Sequence, residues 1–404
     1  IGDDGFIIRQ TADVSLFSLT GYSSRQYGVG GAEAVYDGIL RGTDQTENFA
    51  ERIQHDVLHI PRKGNDIRLT IDLEIQKAAA STLASVGRPG GIVVMDAQSG
   101  EILALASAPT VDPAQLDTQW ATLIENPDKP FVNRATQGRY VAGSALGVAV
   151  LTAWIIDGRT LDDVLALERT QAAVLCGPDD GEITVREAFI YSCANALSEM
   201  VELLGPETFE TTASLFGLRA PVPLDGFTLG PRTDSTPEIP ESSEAIGADT
   251  SRLLPLGAIT RSPLDLAEMI AAIANQGNAP QPILLDATRA PGSQTWITMP
   301  RTAILRAVTT AQTAALVADT MRESAQEGLA SSETCAGTDI GAVIGAAETT
   351  EGTQVFFVGF AQLSDGHTVV VALAIEGITI TRAADVAAAG NAVLCASIAG
   401  FADG

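Results

Sequence analysis

The chain has 404 residues, 46% of them hydrophobic and 18% charged, a balance that supports a substantial buried core and excludes a disordered polymer. Its formal net charge of −26 excludes recognition of a nucleic-acid phosphate backbone and disfavours adhesion to anionic lipid headgroups. Of the 24 basic residues only Lys63, Lys77 and Lys129 are lysines, a scarcity that bears on the chemistry below.

Residues 1–62 mix short apolar runs with glycine turns, notably Gly28-Val29-Gly30-Gly31-Ala32-Glu33. That cluster has no Lys-Ser/Thr ending and no strand–helix context, so it reads as turns rather than a phosphate loop. Pro61 to Asn65 marks a boundary that divides the chain into 1–62 and 63–404. Ile67 to Ile71 alternates as a short strand, and Asp72 is placed to cap a helix reaching about Ser85. Ile92–Asp96 and Ile102–Ser107 are apolar runs joined by Ala97-Gln98-Ser99-Gly100, a hairpin signal.

Ala145 to Ile156 reads as a buried helix following Gly143-Ser144, and Val185 to Leu204 as a second helix. Ala220 to Thr250, rich in proline and acidic residues, reads as an exposed loop. Helices are expected over Pro263–Asn275 and Thr302–Glu327, then strands over Val355–Gln362 and Thr368–Ile375, then an alanine-rich helix from Arg382 to about Ala399. Early strands, central helices, late strands and a last helix predict an α+β domain whose sheet joins distant segments.

Cys176, Cys193, Cys335 and Cys395 show no C-x-x-C spacing and have no histidine nearby, so neither a zinc site nor another metal or cofactor is expected. Disulfides in an exported protein and buried thiols are both compatible with them. No run approaches the roughly 18 to 20 uninterrupted apolar residues of a membrane-spanning helix. Because the sequence starts at Ile1 rather than methionine, an anchor or signal upstream of it is expected.

Several segments, taken in order, resemble the transpeptidase domain of class B penicillin-binding proteins. Arg68-Leu69-Thr70-Ile71-Asp72 with Gln76 resembles the family's "TID…Q" opening, and Gly91 to Asp96 with Ser99 to Ala104 and Asp112-Pro113 resembles its hairpin. Asn133-Arg134-Ala135 and Tyr140 are similar to the run leading into its active serine. Ser262-Pro263-Leu264-Asp265-Leu266-Ala267 and Ile273 to Gly277 resemble its "TPLQLA…ANGG" stretch, and Phe356 to Phe360 the strand after its third motif. Gly28 to Glu33, with Tyr36-Asp37 and Leu40, resembles the end of the family's non-catalytic region. The resemblance implies an antiparallel sheet flanked by helices, as in serine β-lactamases, with 1–62 a small N-terminal remnant of that region.

It also implies three motifs. In Ser-x-x-Lys the lysine amine lies one helical turn from the serine hydroxyl and takes its proton. Here that motif reads Ser144-Ala145-Leu146-Gly147, with glycine at the lysine position. Ser-x-Asn becomes Ser192-Cys193-Ala194, and Asn195 stands one residue late, about 100° away on a helix. Lys-Thr-Gly on an edge strand becomes Val343-Ile344-Gly345, keeping only the glycine, with Glu348 close behind. A serine hydroxyl without an adjacent base is a poor nucleophile, and losing proton transfer alone costs about 100- to 10,000-fold.

Substitutes are few. Lys129 is 15 residues before Ser144 and no lysine follows it. A Ser/His/Asp site would need His55, His59 or His367 beside Ser144, and His367 falls in a predicted turn. Arg139 stays protonated and makes a poor base. Asp112 with Asp96 or Glu101 would offer an acid/base pair, but the resemblance implies structural turns at all three.

The expectation is therefore a catalytically inactive homologue, structural or regulatory in cell-envelope assembly. Asn195 and Glu348 are candidate binding residues. Expected partners are peptidoglycan stem peptide or glycan and proteins of the division or elongation complexes, with no nucleic acid; the expected location is extracytoplasmic. The alternative is a transpeptidase or hydrolase acylated at Ser144 through a base other than lysine.

Overall fold

A computed structural model describes residues 11–24, 26–43, 57–59, 62–166, 181–220, 222–224, 259–300, 305–331, 335, 338–350, 352–363 and 366–402. His55, Cys176 and nearly all of the expected 220–250 loop lie outside the described residues.

Five antiparallel strands form the central sheet: β1 Gly90–Asp96, β2 Ile102–Ala108, β3 Asp339–Thr349, β4 Gly352–Gln362 and β5 Thr368–Ile375. Their order is β3-β4-β5-β1-β2, which leaves β3 on an edge. The strands read as nearly continuous apolar runs because both faces are covered. Alternation then sends successive side chains to opposite cores. Val93, Val343, Phe356, Val358 and Val370 join one core, while Ile92, Ile344, Phe357, Val369 and Val371 join the other.

The second core is closed by helices α1 Leu73–Val86 and, at the end of the chain, Ala383–Ala402. Asp72 caps α1 by accepting the Glu74 and Ile75 amides, each at 2.9 Å. The last helix carries a stretch, Ile380–Gly400, long and apolar enough to cross a membrane, yet half of that stretch is buried here. It can lie on the sheet because Gly390 has no side chain: a Cβ there would stand 2.2 Å from the Phe357 ring.

The first core packs under α2 Gly147–Ile156, α3 Val185–Ile190, α4 Ala194–Leu204, α5 Pro263–Ala274 and α6 Ala311–Glu327. Leu19, Ala32 and Tyr36 from the N-terminal segment are buried in the same core. That segment is also tied down through Gln76, whose Nε2 donates to the Ser15 and Leu105 carbonyls at 2.8 and 3.1 Å.

Three expected elements differ. The expected 185–204 helix breaks at Tyr191–Cys193, where Ser192 takes φ +52°, and becomes α3 and α4. The expected 302–327 helix starts only at Ala311, after the Thr310 hydroxyl accepts the Thr313 amide, and Leu305–Ala307 pairs instead with Asn278–Pro280. A 3-10 turn over Gly143–Leu146 precedes α2, so the serine of the first motif sits outside the α-helix proper.

Candidate functional site

The turn that presents Ser144 is pressed against the edge of β3. Gly143 makes this possible at φ +51°, and a Cβ there would fall 2.3 Å from the Ala346 carbonyl oxygen. Gly345 meets the turn from the other side, where a Cβ would fall 2.4 Å from the Ala145 nitrogen. Two backbones are thus in direct contact, and both glycines are required by it.

Into this seam the Ser144 hydroxyl inserts. It accepts the Ala346 N–H at 2.8 Å and donates to the Ala346 carbonyl at 3.3 Å. Ser144 is 2% exposed. Its proton is therefore held by a carbonyl, which cannot act as a base.

The surroundings of the seam are apolar. At Gly147 a Cβ would press on Leu197 Cδ1 at 3.2 Å and touch Phe189 Cδ2 at 3.7 Å, so a side chain there would meet leucine and phenylalanine first. Val343 shares the face of Gly345 and is buried in the first core with Leu146 and Val358; Ile344 points into the opposite core.

Ser192 lies in the break between α3 and α4, 1% exposed, and its Oγ has no hydrogen-bond partner among the described residues. Ala194 opens α4 and Asn195 follows it, half-buried. The 100° offset expected for Asn195 on one continuous helix does not apply, because the chain leaves the helix at Ser192.

The other candidates sit apart from this seam. Glu348 is exposed near the end of β3 and, by alternation, on the face of Ile344 and Ala346 rather than that of Gly345. His367 is half-exposed, with Nδ1 2.9 Å from the Asp96 carboxylate, and Asp96 also accepts the Gln98 and Ser99 amides of the β1–β2 turn. Asp112 caps a 3-10 turn by accepting the Ala114 amide. Arg139 is exposed, Lys77 pairs with Glu74, and Lys129 supports Arg134 through its carbonyl.

The approach to Ser144 is fixed by a residue that no local sequence signal marks. Glu376, just past β5, accepts from Arg134 Nε at 2.8 Å and from the Tyr140 hydroxyl at 3.0 Å. Burial, reinforced by the negative Glu376, pushes the Tyr140 phenol well above its ordinary range. Gln354 on β4 accepts the Val141 amide at 2.9 Å. The run Tyr140–Ser144 is thus held at Tyr140 through Glu376, at Val141 through Gln354 and at Ser144 through Ala346. Arg134 and Tyr140 stand in recognisable motifs, but nothing local singles out Glu376.

The sequence profile of the penicillin binding protein transpeptidase domain matches residues 90–394. The chain belongs to that family. Among its relatives, the peptidoglycan D,D-transpeptidase PbpA of Mycolicibacterium smegmatis is 28% identical, over 94% of this chain and 82% of its own length. PbpA of Mycobacterium tuberculosis is 29% identical over 68% of this chain, and the match spans 59% of that protein.

The solved structures agree with this family. Penicillin-binding protein A from M. tuberculosis, as a ceftriaxone acyl-enzyme complex, superposes with a TM-score of 0.78 at 25% identity, over 95% of this chain and 91% of that one. A D,D-transpeptidase domain from Eggerthella lenta superposes with a TM-score of 0.78 at 26% identity, over 98% and 94% of the two chains. The α+β penicillin-binding-protein fold expected from the sequence is the fold observed.

Proposed function

We propose that this chain is a catalytically inactive penicillin-binding-protein homologue that acts as a structural or regulatory component of peptidoglycan assembly. One observation carries the reading: the Ser144 hydroxyl is spent on both polar groups of the Ala346 peptide, in a seam walled by Leu197, Phe189 and Val343. Among the described residues its hydroxyl hydrogen-bonds only to the Ala346 backbone, and no titratable side chain is paired with it. The names of the relatives, peptidoglycan D,D-transpeptidases, support the peptidoglycan setting.

Its partners in that setting are stem peptide or glycan and proteins of the division or elongation complexes. The Cys335–Cys395 disulfide, with Cα atoms 5.5 Å apart, and the disulfide-bonded state of Cys193 support an oxidising, extracytoplasmic compartment.

A second reading has one observation in its favour. A strand N–H aimed at a serine hydroxyl is also the donor that would stabilise an oxyanion if the hydroxyl turned outward. Intact-protein mass spectrometry after incubation with excess benzylpenicillin separates the two. The expected result is no adduct on the folded wild type. A stoichiometric adduct that disappears in Ser144→Ala would replace this reading with an active acyltransferase that uses a base other than lysine.

A further inference from the structure

Away from the serine seam, a cleft of about 320 Å³ lies between the N-terminal segment and the loops around residues 109–110 and 130–137. That volume falls at the lower end of small-molecule sites, which run from about 300 to 1,000 Å³. The glycine run that reads only as turns in the sequence helps build it. A Cβ on Gly31 would fall 2.6 Å from Gly21 Cα, so the two chain segments cross backbone to backbone, and a Cβ on Gly30 would strike the Tyr22 ring at 2.7 Å. Tyr22 is further braced edge-on against Trp120 and Phe131, with ring centroids 5.5 and 5.7 Å apart.

Two properties of the lining restrict what it can hold. None of its residues is Asp, Glu, Lys or Arg, although 18% of the chain is charged, so it offers nothing to balance an ionic ligand or a metal. It does offer hydrogen bonds. Gln137 Oε1 accepts the Asn133 amide at 3.0 Å, while its Nε2 has no partner among the described residues. The Tyr22 and Thr110 hydroxyls, also in the lining, likewise have none among those residues.

An uncharged ligand with both apolar faces and polar edges fits this combination. A pyranose presents its C–H faces to aromatic rings and its hydroxyl and acetamido groups to amide and hydroxyl partners. We propose that the cleft is a binding site for a neutral, N-acetylated saccharide. The neutrality and the polar groups come from the cleft itself; the choice of a saccharide rests on the envelope role proposed above. The site would keep the protein on glycan while its serine seam stays shut.

The test is titration of the full chain with chitotetraose, an uncharged N-acetylglucosamine oligomer, by isothermal calorimetry. Saturable binding is expected, weakened about two- to ten-fold by Tyr22→Phe and by Gln137→Ala, each of which removes one hydrogen-bonding group. Thr110→Ala supplies a further readout should Gln137→Ala unfold, and Arg382→Ala, outside the cleft, should leave the affinity unchanged. No saturable binding by the folded wild type, or binding indifferent to Tyr22→Phe, Gln137→Ala and Thr110→Ala, overturns the proposal. The benzylpenicillin adduct is read separately, so an adduct alongside intact saccharide binding would sink only the inactive-serine reading.

Discussion

A serine kept for catalysis and a serine kept as a peg respond differently to removal of the hydroxyl. Ser144 supplies the only hydrogen bond found for the Ala346 N–H among the described residues, inside a seam closed to water. Ser144→Ala should therefore destabilise the protein by about 1 to 3 kcal/mol, the cost of an unsatisfied buried donor. The urea midpoint would fall with an unchanged slope. A catalytic serine held at the expense of stability would show no loss or a gain. The lysine position gives a sharper contrast. Gly147→Lys would drive a long cation into Leu197 and Phe189, combining overpacking with an unpaired buried charge. A loss of roughly 3 kcal/mol or more is expected, without any gain of β-lactam adduct. Full stability together with acylation would mean that the seam repacks easily and that the leucine and phenylalanine do not block it. The sequence displays a glycine at 147, where the resemblance implies a lysine, but not what packs beside it. That requires knowing that α3 and α4 lean Phe189 and Leu197 across the serine turn, a long-range packing fact.

At the scale of elements, the legible parts are those with strong local signals. The Asp72 cap, the 97–100 turn and the apolar runs of β1, β2, β4 and β5 are all visible along the chain. The break at Ser192 is hidden because no glycine or proline marks it, and the left-handed φ falls on a serine. Also hidden is the strut joining α5 to Leu305–Ala307, where Arg306 Nη2 donates to Glu268 Oε1 at 2.7 Å while Glu268 Oε2 is buried without a partner among the described residues. Burial pushes the Glu268 carboxyl above its ordinary value of 4.5, and the nearby Arg306 only partly offsets this. A carboxyl with a raised folded-state pKa binds more protons folded than unfolded. It therefore lowers stability as pH rises from the ordinary carboxylate value through the raised one, and the penalty persists above that. Glu268→Gln should flatten that part of the stability–pH curve, with Arg306 still facing an amide oxygen. Denaturation midpoints collected from pH 4 to 7 would show it. An unchanged slope would mean that Arg306 holds the carboxylate ionised throughout.

For the whole molecule, the ordered set of weak motifs carries the fold, because the sheet they build joins residues 90–108 to 339–375. The cysteine pairing stays out of reach of spacing alone: Cys335 and Cys395 are 60 residues apart and meet only because the last helix returns across the sheet to the approach to β3. This clasp ties the segment leading into the Ala346 edge to the C-terminal helix, so it limits how far β3 can move from the Ser144 turn. Closing a loop of that length should contribute about 2 to 4 kcal/mol. The double variant Cys335→Ser with Cys395→Ser should lose that much in denaturant titration. If the clasp also holds the seam shut, the double variant should exchange the Ala346 amide hydrogen faster than the global loss of stability accounts for. Exchange that slows and quickens only with global stability would leave the disulfide as a fold-wide staple, with the Ser144 seam closed by its own contacts.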